Sequence, residues 1–77
     1  MRAKINHGKR GKSIDRLVKE YEMQYPVDFY CYICESYLNG HRQQVIDLFN
    51  EMKEAQQKAF LRNYGNEKVG KFIIECL

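Results

Sequence analysis

Proline is almost absent from this chain: Pro26 stands alone in 77 residues, and glycine occurs only five times. Few positions therefore forbid regular structure, and 44% hydrophobic with 13% aromatic content excludes a disordered, low-complexity polypeptide. Long apolar runs are missing as well. The longest, Phe29 to Cys34, has six residues, against the roughly 20 that a membrane-crossing helix needs. No apolar stretch follows the charged N-terminus, so no secretory signal is expected, and Arg2 stands where N-myristoylation requires glycine. Cysteine is scarce and odd in number, three in all, which argues against a disulfide framework and predicts free thiols in the cytoplasm.

Catalytic signatures are lacking too. The two histidines, His7 and His41, lie far apart, and there is no GxSxG, no HExxH and no glycine-rich phosphate loop. With no nucleophile and base to pair, the expectation is a protein that is not an enzyme and uses no cofactor.

The last absence is local. The first twelve residues, MRAKINHGKRGK, contain no acidic side chain but carry Arg2, Lys4, Lys9, Arg10 and Lys12. From Ser13 onward, eight Lys/Arg face ten Asp/Glu, so a +5 segment precedes a body of −2 and the chain totals +3. Residues 1–12 read as a flexible basic arm, loosened by Gly8 and Gly11, and residues 13–77 as one helical domain. A chain of this size buries only about 60 to 65% of its unfolded surface, so its core is small.

Within the body the apolar spacing is helical. Ser13 fits an N-cap, and Ile14, Leu17, Val18 and Tyr21 share one face of a helix that Pro26 ends near Gln24, giving a first helix over 14–24. A second helix is predicted over 27–38, with Val27, Tyr30, Ile33, Cys34, Tyr37 and Leu38 on one broad arc and Asn39-Gly40 as its left-handed stop. The β-forming VDFYCYI lacks the alternation of a strand. From Arg42 to Gly65 a straight helix would put Gln56 on the apolar face and leave Ile46 and Leu61 off it, so a break around Lys53 to Ala55 is predicted. A last helix begins at Asn66, and Gly70 within it suggests close packing. The fold class is all-α: a compact bundle of four or five short helices behind a flexible basic arm.

Three constellations carry the candidate chemistry. Cys31 and Cys34 form a CxxC on the second helix, but no second ligand pair accompanies them; His41, Cys76 and His7 are the other soft ligands. Cysteine in an apolar arc behaves as a small hydrophobe, so no metal is expected. The turn Asn39 to Gln44 resembles the start of a helix-turn-helix recognition helix, where Arg42 and Gln44 would meet bases while Arg2, Lys4, Lys9, Arg10 and Lys12 hold phosphates. Against that, Gln43 and Gln44 lead along the same surface into Asp47, Glu51 and Glu54, which repel phosphate. Third, five of six tyrosines lie between Tyr21 and Tyr37, and the helical projection turns Tyr32 and Phe29 toward the polar side. Such aromatics serve as interface anchors. The candidate protein interface is therefore Phe29, Tyr32, His41, Arg42 and Gln43, with a homodimer as one version.

The segment SYLNGHRQQVIDLFNEMKEAQQKAFLRNYG, Ser36 to Gly65, resembles a pattern in short uncharacterised proteins of gut bacteria, their phages and mobile elements. In that pattern an S-Y-x-N-G turn leads into D-L-F-N-x-M and later F-L-x-N-Y, and the match covers thirty residues of this chain. The resemblance implies a setting: a phage or mobile-element accessory protein that binds a host or defence protein as an inhibitor, without catalysis. Nucleic-acid binding through the arm and the turn at residues 39–44 is the alternative.

Overall fold

Five helices follow one another with short connections in a computed structural model that describes residues 11–76: α1 (Ile14–Glu20), α2 (Pro26–Leu38), α3 (Arg42–Glu51), α4 (Glu54–Tyr64) and α5 (Lys68–Cys76). No strand occurs among the described residues, so the all-α bundle expected from the spacing is what forms. The residues of the arm before Gly11, with Arg2, Lys4, His7, Lys9 and Arg10, lie outside the described residues, as does Leu77.

α1 starts where expected, with the Ser13 hydroxyl accepting from the Arg16 N–H at 3.3 Å. It stops earlier than Gln24. Glu22 adopts φ 55°, and Met23 N–H donates to Val18 O (2.8 Å) while Glu22 N–H donates to Lys19 O (3.2 Å). This paired closure satisfies the last carbonyls of α1, with a glutamate in the left-handed position that glycine usually fills. Pro26 does not terminate α1; it opens α2, where its missing N–H costs nothing, and the Asp28 carboxylate accepts from the N–H groups of Tyr25 (2.9 Å) and Gln24 (3.3 Å). At the far end of α2 the same closure recurs with the expected glycine: Gly40 has φ 80°, and His41 N–H donates to Ser36 O at 2.9 Å.

The break between α3 and α4 falls at Met52 and Lys53, both extended. The buried glutamine responsible is Gln57, where the spacing pointed to Gln56. Gln57 Nε2 donates to the carbonyls of Phe49 (3.0 Å) and Met52 (3.2 Å), sealing the C-terminal end of α3 from inside the core. Gln56 sits half-buried with its Oε1 lacking a hydrogen-bond partner. Breaking the helix also lets Ile46 join the core at 3% exposure.

α5 begins at Lys68, two residues after Asn66, because Glu67 first donates its N–H back to Tyr64 O at 2.9 Å. Gly70 presses against the Tyr64 carbonyl and the Gly65 Cα, where a Cβ would collide with backbone. Close packing thus accounts for the glycine inside this helix.

Eleven buried side chains, from Leu17 to Ile73, form the core, with Phe29, Phe49 and Phe60 fully enclosed. α2 is its axis. Tyr21 at the end of α1 meets Phe29 edge-on at 5.3 Å, Tyr30 meets Phe60 of α4 at 5.7 Å, and Tyr37 meets Phe72 of α5 at 5.8 Å. The tyrosine cluster therefore works mainly as packing.

Candidate functional site

Phe29 was expected at an interface and is fully buried, because the turn after α1 brings Tyr21 across it. Tyr32 is half-buried: its ring lies 6.2 Å from that of Tyr21, and its hydroxyl accepts from Gln44 Nε2 at 2.7 Å. Together these contacts tie α1, α2 and α3, so the pair expected to face outward instead belongs to the inner packing of α2.

The turn residues behave in the same way. The Arg42 guanidinium stacks 3.8 Å above the Tyr37 ring and 5.6 Å from that of Phe72, while Nη1 donates to Tyr37 O at 2.6 Å. An arginine opening α3 opposes that helix's dipole, but here its charge sits on the last carbonyls of α2, where a cation is favoured. Such a stack contributes about 0.5 to 1 kcal/mol at an exposed site. Gln43 Nε2 donates to Asp47 Oδ1 at 2.9 Å, and His41 is exposed at the turn. Gln44 and Arg42, the two side chains that would read bases, are thus engaged within the fold.

Lys12 is a further correction. Its N–H donates to Glu51 O (2.7 Å), its carbonyl accepts from Lys53 N–H (3.1 Å), and its ammonium bridges Glu20 (3.0 Å) and Glu51 (3.3 Å). The two carboxylates raise the Lys12 pKa, and the hydrogen bond to Lys12 lowers that of Glu20. Gly11, expected to loosen the arm, lies so close to the Met52–Lys53 peptide that a Cβ would collide with it. Among the described residues the folded body therefore begins at Gly11, and Lys12 is committed to carboxylates.

What remains open is the outer side of α2. Val27 is 50% and Leu38 80% exposed, Cys31 is exposed and Cys34 half-buried. These four follow spacings of four, three and four residues, one continuous stripe along three turns. Between its C-terminal half and the start of α5 lies a groove of about 290 Å³, lined by Cys34, Tyr37, Leu38, Tyr64, Glu67, Lys68 and Val69. Burial pushes the Cys34 thiol up, with Cys31, Glu67 and Glu35 adding to the effect, and burial likewise raises Tyr64. Of the two CxxC thiols, Cys34 thus lines the groove, beside Glu67 and Lys68. Among the described residues no group of three or more His, Cys, Asp or Glu is arranged to hold a metal.

The sequence reading had placed Val27, Cys34 and Leu38 on the buried arc of α2. Their spacing was the available signal, but α2 is apolar over most of its circumference, and periodicity alone does not say which side meets solvent. Among the described residues no helix is long and apolar enough to cross a membrane. No family model, curated protein or solved structure matches the chain.

Proposed function

We propose that the protein is a non-catalytic binding module that engages another protein through the outer stripe of α2 and the adjoining groove. One observation carries this reading: Leu38 and Val27 stand 80% and 50% exposed at the two ends of a stripe on a helix whose opposite face is core. Isolated exposed apolar residues are ordinary, whereas a contiguous row beside a groove marks a contact surface. The implied setting, an accessory protein of a phage or mobile element acting on a host or defence protein, is compatible with binding of this kind. The nucleic-acid alternative has less support, since Lys12, Arg42 and Gln44 are engaged internally.

The test is a photo-reactive phenylalanine analogue placed at position 38 or, as a control, at position 47 on α3, followed by irradiation in the native host. Position 38 is expected to yield a discrete protein adduct that disappears when Val27→Asp is added, and position 47 is expected to yield none. Equal labelling from both positions, or none from 38, would overturn the proposal.

A further inference from the structure

We propose that the partner's docking element is a single amphipathic helix with lysine or arginine beside its apolar seam, an inference that rests on the reading above. Spacings of four, three and four are those of the seam along which two helices pair, and Val27 to Leu38 spans about 16 Å at 1.5 Å per residue. In its middle stand two small side chains, Cys31 and Cys34, over which another helix can approach closely. Toward Leu38 the stripe opens into the groove of about 290 Å³, which has room for one large apolar side chain of the incoming helix.

Charge gives the occupant its character. Asp28 and Glu35 each follow a stripe residue by one position and line one edge of the seam, and Glu67 stands across the groove. Among the described residues, Lys68 is the one basic residue lining that groove. Glu35 follows Cys34 on α2 and Glu67 lines the groove from the turn before α5, so carboxylates flank the centre of the seam from two sides. A helix with basic flanks would meet an opposite charge on either side.

A second copy of this chain fits less well. Antiparallel pairing of two α2 helices would set Asp28 against the Glu35 of the other copy, and parallel pairing would set both against Tyr30 and Tyr37, which are already engaged with α4 and α5. The stripe is four residues long, well short of the roughly 20 to 30 residues a side typical of stable association. A short seam of this kind is the footprint of one docked helix.

The experiment uses the full chain and two fluorescein-labelled synthetic helices of about eighteen residues, identical along a leucine seam but flanked by lysine in one and glutamate in the other. Anisotropy titrations at low salt are expected to show the lysine probe binding about tenfold tighter or more. The double change Glu35→Lys with Glu67→Lys should erase or reverse that preference, while Asp15→Lys with Asp47→Lys, equal in charge but on α1 and α3, should leave it. Leu38→Asp or Val27→Asp should weaken the lysine probe about tenfold. Equal affinity for both probes, with Leu38→Asp still weakening them, would overturn the basic helix and spare the stripe. If neither stripe substitution affected either probe, both readings would fall. A concentration-dependent dimer in sedimentation, abolished by Leu38→Asp, would make the occupant a second copy and overturn the proposal.

Discussion

The inner and outer faces of α2 are both apolar, and they are built from different side chains. Inward stand Phe29 and Ile33, fully buried, with Ser36 folded back so that its hydroxyl donates to Tyr32 O at 2.9 Å. Outward stand Val27, Cys31 and Leu38, all exposed among the described residues. The aromatic Phe29 and the branched Ile33 went to the inner side, yet Leu38 and Val27, also branched, stand on the side left to solvent. Hydrophobicity along a helix thus states how much surface wants covering, and its neighbours decide which part the chain covers by itself.

The largest test of this contrast is Phe29→Ala. It should cost about 3 to 5 kcal/mol and leave a domain this small largely unfolded at ordinary temperature, read as loss of the cooperative thermal transition. Tyr32→Ala comes next. Its removal strands Gln44 and opens the contact with Tyr21, so a loss of about 1 to 3 kcal/mol is expected in chemical denaturation. A change below about 0.5 kcal/mol would return Tyr32 to the outer face and undo the contrast.

A pH titration gives the third test. Burial raises Cys34, Tyr30 and Tyr64 above their ordinary values of 9.0, 10.0 and 10.0. Acids held neutral by the fold contribute their full stability below those ordinary values and lose it as pH rises through the raised ones, because the unfolded chain ionises first. Stability should therefore decline above about pH 9, and Cys34→Ser should delay the onset. Glu20, held below its ordinary 4.5 by Lys12, works in the opposite sense: its contribution is present above that value and fades as pH falls through the lowered one. The smallest effect is expected at Leu38. Leu38→Asp should shift stability by no more than about 0.5 kcal/mol, since little is buried there to lose.

Much of the architecture could be read from spacing. A bundle of four or five helices, the Asn39-Gly40 stop and the break after α3 followed from periodicity and turn chemistry, which act over a few residues. The stop of α1 did not, because Glu22 occupies a left-handed position that its side chain disfavours, held there by the N–H groups of Glu22 and Met23 donating to the Lys19 and Val18 carbonyls of α1. The projection turns Phe29 and Tyr32 toward the side of Asp28, Glu35 and Ser36, but that side holds buried Phe29 and Ser36, because a helix apolar over most of its circumference takes its rotation from its neighbours. Lys12 was counted with the arm for a related reason: its partners Glu20 and Glu51 lie eight and 39 residues away, and no local pattern marks such a pair.

The bridge at Lys12 also bears on the order of assembly. Gln57 reaches Met52 and Phe49 across five and eight residues, so the α3–α4 corner can close as soon as α4 has been made. Lys12 waits for Glu51 across 39 residues, an interval of about 2 to 8 seconds at ordinary rates of translation. Lys12 is thus synthesised well before its partner and fastened after α3 is complete, and its fastening closes a loop of 39 residues between two charged ends.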